Sequence, residues 1–164
     1  MTKILGIDPG TATTGFGILE IKGNDKRVID CGVISTHKDL PMPERLVELH
    51  KDLSELIKTH RPDWCAVEQL FFARNVTTAI TVGQARGVIL LAAAENNLSI
   101  VEYTPLQVKQ AVTGYGQATK KQVQEMVKTI LGLKEIPKPD DAADALAIAL
   151  THLPSTRTSI DSKA

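Results

Sequence analysis

The sequence predicts an α/β domain built on a mixed five-stranded sheet, and three observations lead to this fold class. A short apolar run at residues 3–8 ends in a carboxylate, Asp8, directly before a Pro-Gly turn, as is typical of a buried strand. Two further apolar segments, 15–21 and 28–35, are joined by turn residues at 23–25, which favours an antiparallel hairpin. After this hairpin amphipathic helices alternate with short strands, as they do in α/β domains.

The remaining elements follow from hydrophobic periodicity, prolines and helix caps. Apolar residues three or four positions apart place one stripe on a long helix after Pro43. Thr104 and Thr119 are residues of the type that caps the N-terminus of a helix. The predicted elements after the hairpin are a helix at 43–60, a strand at 64–68, a helix at 76–95, a strand at 98–103, a short helix from 105, a helix capped by Thr119 and a helix at 140–152. The order βββαβαβααα predicts antiparallel strands 1–3, then strands 4 and 5, with helices flanking the sheet.

Length and composition predict one domain over residues 1–153, because 164 residues suffice for a core without disulfides or a structural metal. Residues 154–164 are polar and lack periodicity, so we expect a disordered tail. Cys31 and Cys65 lie in apolar segments without a CxxC spacing, which predicts free thiols in a reducing compartment. The sequence shows neither a charged-then-apolar leader nor an apolar run of membrane-spanning length, so we expect a soluble, cytoplasmic protein with no membrane partner.

Charge is unevenly distributed, although the formal net charge is zero at pH 7. Residues 105–138 contain six lysines against two glutamates, and residues 70–94 contain two arginines and no acidic residue. Because phosphate responds to the local potential, these stretches predict a nucleic-acid surface. The alternative, that these are simply solvated helix lysines, stays open, and Tyr115 between two glycines is as plausible in a plain turn. The candidate nucleic-acid contacts are Arg74, Lys109, Tyr115, Lys120 and Lys121.

Two carboxylates late in the chain share one helix face, because Asp141 and Asp144 are three residues apart. Acids in a first helical turn also complement the helix dipole, an alternative that fits Asp141 better than the deeper Asp144. If this face leans over the strand-end acids Asp8 and Glu68, the like charges require a cation. Such an oxygen-rich site suits Mg²⁺, with Mn²⁺ as a substitute, and two ions are the usual arrangement for attack on a phosphodiester.

Five motifs occur in a fixed order along the chain and together resemble one family. They are Gly6-Ile-Asp-Pro-Gly10 with Thr14-Gly-Phe-Gly17, Val67-Glu-Gln69 followed by Phe71, Gly83-Gln-Ala-Arg-Gly87, Val108-Lys-Gln110 and Asp141-Ala-Ala-Asp-Ala-Leu-Ala147. Over residues 3–152 they closely resemble the RuvC family of bacterial Holliday junction resolvases.

This resemblance implies an RNase H-like nuclease domain and a homodimer formed through the helix at 76–95. It implies a Mg²⁺-dependent endodeoxyribonuclease that resolves four-way DNA junctions by paired symmetrical nicks, leaves a 5′ phosphate, and serves recombination and repair with the RuvA–RuvB branch-migration complex. Carried over residue by residue, Phe71 meets junction bases, while Lys109 and Lys120 lie near the scissile phosphate or the DNA backbone. The acids that catalyse and bind metal are Asp8, Glu68, Asp141 and Asp144.

Other functions stay open at this point. The segment 6–15 is also similar to the first phosphate-binding hairpin of actin- and sugar-kinase-like ATPases, but those folds need two such lobes and the length supplies one. A non-catalytic junction-binding module gains nothing from four carboxylates beside the DNA backbone. A nuclease of this fold acting on RNA in a hybrid has no need of a dimer helix. Phe72 has no assigned role, and His152 is expected to be a cation at the end of the last helix.

Overall fold

The structure is a computed structural model that describes residues 1–10, 12–69 and 75–153. The proposed DNA contacts Phe71 and Arg74, together with Phe72 and the tail at 154–164, lie outside these residues.

Five strands of the described chain form one mixed sheet in the order β3-β2-β1-β4-β5. They are β1 (Thr2–Asp8), β2 (Thr13–Lys22), β3 (Asp25–Ser35), β4 (Trp64–Glu68) and β5 (Ser99–Tyr103). The first three strands pair antiparallel, and β4 and β5 add in parallel on the other side of β1. This architecture confirms the predicted fold class. Two strand starts differ from the prediction by two residues or more, because β2 already begins at Thr13 and β3 at Asp25. Next to the start of β2, Thr14 Oγ1 donates a hydrogen bond to the Gly10 carbonyl oxygen at 3.0 Å.

Helices cover both faces of the sheet. They are α1 (Met42–His60), α2 (Val76–Glu95), α3 (Pro105–Thr113), α4 (Lys120–Leu131) and α5 (Asp140–Thr151). The side chains of Thr104 and Thr119 each accept a hydrogen bond from the backbone N–H three residues on, and both helices carry a complete capping box. The sequence therefore marked the starts of α3 and α4 correctly.

The sheet separates two apolar cores, because neighbouring residues of a strand point to opposite faces. Leu5 and Ile7 of β1 pack in the core covered by α1 and α2. Ile4 packs in the core formed with α3, α4 and α5. The same alternation turns the next residue of β1, Asp8, toward α5.

The helix α5 lies unusually close to the sheet, because glycines form the surface beneath it. A Cβ atom at Gly6 would lie 2.1 Å from the carbonyl oxygen of Ala145, and one at Gly15 would lie 2.1 Å from that of Asp141. Gly6 is paired directly with Gly17 across β1 and β2. Because no side chain fits in this interface, the backbone of α5 rests on the backbone of the sheet.

The helix α2 corrects the expectation that the chain has no apolar stretch of membrane-spanning length. It has 20 residues and is long and apolar enough to cross a bilayer. Only 28% of its apolar stretch is buried inside the protein. The uninterrupted apolar run, residues 87–94, covers only part of this helix, because polar residues precede it in the sequence. Length and composition alone are weak evidence for a membrane span, and here Arg86 of α2 forms an ion pair with Glu102 of β5.

The expectation that His152 is a helix-terminal cation is wrong. Its side chain is 2% exposed, its Nδ1 lies 2.8 Å from the Tyr103 hydroxyl, and its ring centroid lies 4.4 Å from that of Trp64. Burial lowers the pKa of His152 below its ordinary value. The imidazole is therefore a neutral core group at neutral pH.

Candidate active site

Two of the predicted acids lie at the same edge of the sheet, at the ends of neighbouring parallel strands. Asp8 ends β1 and Glu68 ends β4, and the residues before them, Ile7 and Val67, are paired in register. Ile7 and Val67 both point into the core under α1 and α2. Strand alternation therefore directs Asp8 and Glu68 to the opposite face, where α5 lies.

The two helix acids reach this edge through the contact between α5 and Gly15. Gly15 is the ladder partner of Asp8, and the backbone of Asp141 rests directly on it. One carboxylate oxygen from each of Asp8, Asp141 and Asp144 lies within 4.8 Å of the others. We call these three residues the carboxylate triad. Among the described residues Glu68 is not part of this triad, but its charge acts on Asp8.

The triad carries a large electrostatic penalty when all its members are ionised. Desolvation by burial, followed by the charge of Glu68 and those of the two helix acids, raises the pKa of Asp8 to about 8. Desolvation also raises the pKa of Glu68 and of Asp144. Carboxylates with raised pKa values that converge at one edge are a typical cation site, because a bound cation removes the repulsion.

Two lysines border the acids. Lys120 Nζ lies 3.3 Å from Asp144 Oδ2 and 3.7 Å from Asp140 Oδ2, at the first residue of α4. Lys109 of α3 lowers the pKa of Glu68 through its charge, so it lies near that carboxylate. A cleft of about 220 Å³ separates these groups. Its lining consists of Glu68, Lys109, Lys120 and Asp144, with Pro105, Val108, Val123, Ala147 and Ile148 as an apolar floor.

The other predicted DNA contacts in the described chain, Tyr115 and Lys121, are exposed, and neither of them lines this cleft. Tyr115 is 58% exposed and follows Gly114, whose φ of 75° ends α3. The backbone N–H of Tyr115 donates to Thr113 Oγ1 at 3.1 Å, so a defined turn holds the residue. Lys121 is exposed in the first turn of α4. Phe71 and Arg74 lie outside the described residues.

One residue of the site was missed from the sequence. Thr13, the first residue of β2, donates a hydrogen bond through Oγ1 to Asp141 Oδ2 at 2.8 Å. The sequence contained a usable signal, because Thr13 is two residues before Gly15 and therefore shares its face of the strand. Because the predicted strand begins only at residue 15, Thr13 is not among the candidate residues named from the sequence.

Taken together, the geometry is suited to chemistry on a phosphodiester. The acids supply hard oxygen ligands of the type that Mg²⁺ and Mn²⁺ prefer. The two lysines supply positive charge beside those acids, where a phosphate group can be held. A helix N-terminus, that of α4, opens onto the same cleft through Lys120 and adds to the attraction for an anion.

Comparison with known proteins gives a consistent family assignment. The family model described as "Crossover junction endodeoxyribonuclease RuvC" matches residues 4–152. A curated "Crossover junction endodeoxyribonuclease RuvC" from Caldicellulosiruptor saccharolyticus is 57% identical over 155 residues, covering 94% of this chain and 93% of that protein.

Solved structures give the same result at the level of the fold. The structure "T. thermophilus RuvC in complex with Holliday junction substrate" matches with a TM-score of 0.91 and 42% identity, over 97% of this chain and 97% of that one. The yeast mitochondrial Holliday junction resolvase Ydc2 matches with a TM-score of 0.67 at 14% identity, over 99% of this chain and 86% of that chain, which shows a shared fold alone. These neighbours confirm the RNase H-like fold.

Proposed function

The chain belongs to the RuvC family of crossover junction endodeoxyribonucleases, and we propose from this premise that it resolves four-way DNA junctions by paired symmetrical nicks. The observation that carries the proposal is the carboxylate triad within 4.8 Å at one sheet edge, next to Lys120. This arrangement fits hydrolysis of a phosphodiester. From family membership we expect the cut to leave a 5′ phosphate. The biological setting is DNA recombination and repair.

The donor set of the site fits a divalent cation. Asp8, Asp141 and Asp144 supply closely spaced carboxylate oxygens. Burial, and after it the charges of the neighbouring acids, raises the pKa of Asp8 to about 8, and a bound cation would offset both effects. We expect these three acids and Glu68 to hold two Mg²⁺ ions, with Mn²⁺ as a substitute. When bound, such ions lower the pKa of an attacking water and stabilise the departing 3′ oxygen.

The lysines position the DNA strand against the acids. Lys120 contacts Asp144 in the free protein, and a bound phosphate offers it a second anionic partner at the N-terminus of α4. Lys109 borders the same cleft from α3. Contacts of this kind fix the register of the strand without reading its sequence. We assign the same supporting role on the DNA surface to Arg74, Tyr115 and Lys121, and a contact with junction bases to Phe71.

A homodimer supplies the two active sites that paired nicks require, and α2 offers the surface for it. Three large apolar side chains of α2 face solvent in the single chain, since Val76 is 70%, Ile80 56% and Leu91 52% exposed. A Cβ atom added at Gly87, on the same helix, would meet nothing within 4 Å. An exposed apolar stripe with a glycine notch lets a second helix approach closely, and burying it is favourable by about 25 cal/mol per Å².

Family membership supports a proposal about the cellular context. We propose that the protein acts in the cytoplasm on junctions produced during recombination, together with the RuvA–RuvB branch-migration complex. An exposed α2 then reflects subunit association, and a bilayer partner is not required to explain it.

The proposed function is tested by cleavage of a synthetic four-way junction and of a linear duplex with the same arm sequences, in Mg²⁺ and in EDTA. We expect paired nicks in the junction alone, lost in EDTA. Asp144→Asn should abolish cleavage and keep junction binding, while Asp52→Asn, an exposed acid of α1, serves as the matched control and should cleave normally. Binding without cleavage would mean a scaffold protein, and equal cleavage of the duplex would mean a general nuclease.

A further inference from the structure

The hydrogen bond between Thr13 and Asp141 joins the first residue of β2 to the first turn of α5. Thr13 Oγ1 donates to Asp141 Oδ2 at 2.8 Å, and the two residues are 128 positions apart in the chain. Asp141 offers two carboxylate oxygens, and a hydrogen bond to one of them restricts the direction in which the other points. The contact is formed by a neutral donor, whereas the donor that contacts Asp144 is the charged side chain of Lys120.

We propose that Thr13 is a positioning residue of the metal site, which holds Asp141 through one carboxylate oxygen and thereby presents the other to the cation. This inference rests on the proposed function, because it assumes that the triad binds the catalytic metal. It assigns to Thr13 a role in the affinity for metal, separate from binding of the junction.

The sheet makes Thr13 a rigid donor. Its backbone is paired with Ser35 of β3, and its β-branched side chain has few rotamers available. The neighbouring Thr14 points to the other face, is 1% exposed and donates to the Gly10 carbonyl oxygen. The two threonines therefore have different partners: the Thr14 side chain binds the backbone of Gly10 after β1, and the Thr13 side chain binds the carboxylate of Asp141.

The Asp141 carboxylate has a competing attraction at the N-terminus of its own helix. It lies in the first turn of α5, where free backbone N–H groups attract a carboxylate, and the N-cap residue Pro139 provides no side-chain cap. An aspartate in this position is therefore drawn toward its own helix end. The bond from Thr13 instead holds its carboxylate on the side of the sheet, next to Asp8.

Anchoring of α5 does not depend on this bond. The backbone of Asp141 already rests on Gly15, and that of Ala145 rests on Gly6. Apolar side chains such as Leu146 are fully buried in the core beneath the helix. Removal of the Thr13 hydroxyl is therefore expected to leave α5 in place and to free the Asp141 carboxylate to rotate.

Each helix acid of the triad thus has its own partner, and the two partners differ in kind. Asp144 is held by the cation Lys120, whose charge a bound phosphate also attracts. Asp141 is held by the neutral hydroxyl of Thr13, which has no comparable attraction to phosphate. The Asp141 contact can therefore persist when DNA binds, and it does not reduce the negative charge available to the metal.

The experiment compares wild type, Thr13→Val, Thr13→Ser and Asp144→Asn. Valine keeps the shape of threonine and removes the donor, whereas serine keeps the donor. Mn²⁺ is titrated into DNA-free protein and the free ion is followed by electron paramagnetic resonance. We expect Thr13→Val to weaken Mn²⁺ binding about tenfold, the lower end of the effect of losing a partner of a metal ligand. Thr13→Ser should stay within about twofold of wild type.

Two further measurements on the same proteins separate positioning from folding. The Mg²⁺ concentration for half-maximal junction cleavage should rise about tenfold in Thr13→Val, while junction affinity in EDTA stays unchanged. The melting temperature in EDTA should change by no more than about 2 °C. A large fall in melting temperature with unchanged Mn²⁺ affinity would mean that Thr13 is a structural clamp, and would overturn the inference.

The remaining outcomes distinguish this inference from the proposed function. If Thr13→Val binds Mn²⁺ like wild type while Asp144→Asn binds it weakly, the role of Thr13 is refuted and the metal site stands. If Asp144→Asn also binds Mn²⁺ like wild type, the triad is not the metal site and both proposals fail. If Thr13→Ser is as impaired as Thr13→Val, donation by the hydroxyl is not the cause.

Discussion

Replacing Asp8 by asparagine should stabilise the metal-free protein, because the folded state holds this carboxyl in an unfavourable place. Its pKa rises from 3.8 to about 8 on folding. At pH 7 the Asp8 side chain is ionised in the unfolded chain and protonated in the folded one. Because pH 7 lies about 3 units above the unfolded pKa, this protonation costs about 1.4 kcal/mol for each unit. The largest gain in the free energy of unfolding that Asp8→Asn can give at pH 7 is therefore about 4 kcal/mol. Asp8 is partly exposed, and solvent screens its neighbours, so we expect about 1–3 kcal/mol.

The sign of the pH dependence follows from proton binding. Between pH 4 and pH 8 the folded protein binds the Asp8 proton more tightly than the unfolded chain does, so this group lowers stability as pH rises. The gain from Asp8→Asn should therefore be near zero at pH 4 and complete near pH 8. Urea denaturation of wild type and variant in EDTA, at several pH values in this range, measures the difference. Adding Mg²⁺ should stabilise wild type and leave the variant nearly unchanged.

Asp140→Asn is the matched control, because Asp140 lies in the same helical turn as Asp141 but does not belong to the carboxylate triad. It should show no comparable gain in EDTA and should keep its response to Mg²⁺. Equal or lower stability of Asp8→Asn at pH 7, or a gain that does not change with pH, would refute the electrostatic account of the site.

Three further predictions concern packing, burial and association. Gly15→Ala should cost about 1–3 kcal/mol and abolish cleavage in the folded fraction, because its Cβ would lie 2.1 Å from the Asp141 carbonyl oxygen; urea denaturation and junction cleavage measure both effects. The buried, neutral His152 should lower stability as pH falls below about 6.5, because the unfolded chain then binds the proton more tightly; His152→Gln should remove that part of the slope in denaturation curves at pH 5.5 and 7.5. Ile80→Glu, at an exposed apolar position of α2, should give a monomer in light scattering and unpaired nicks.

Each of these three predictions has a control variant or an outcome that would refute it. Gly32→Ala, whose Cβ would lie 3.3 Å from Phe16 Cε1, should be tolerated far better than the change at Gly15. A His152→Gln protein with the wild-type slope would refute the burial argument. Val47→Glu, on α1 and 68% exposed in the single chain, should leave the molar mass unchanged, and an Ile80→Glu protein with wild-type mass would exclude α2 as the dimer surface.

Local signals in the sequence were sufficient for the elements and for most candidate residues of the site. Strand ends are marked by turn residues, so the positions of Asp8 and Glu68 at strand tips could be predicted from their neighbours in the chain. Capping threonines marked α3 and α4, and a spacing of three placed Asp141 and Asp144 on one helix face. These inferences succeed because each depends on residues only a few positions apart.

Other features depended on burial, which a local pattern does not reveal. His152 looks like a helix-terminal cation in the sequence, and its contacts with Tyr103 and Trp64 come from strands far away in the chain.

The sequence by itself determined the order of strands and helices and identified the candidate acids and lysines. Each of these depends on residues that are only a few positions apart in the chain. The tertiary structure alone decided how closely the acids meet. It seats α5 on Gly6 and Gly15, places Asp141 over the ladder partner of Asp8, and brings Thr13 to its carboxylate across 128 positions. The physical reason is that the acids converge only if two backbones approach closely. That approach depends on glycines in the sheet lying directly beneath the backbone atoms of α5, which are far away in the sequence.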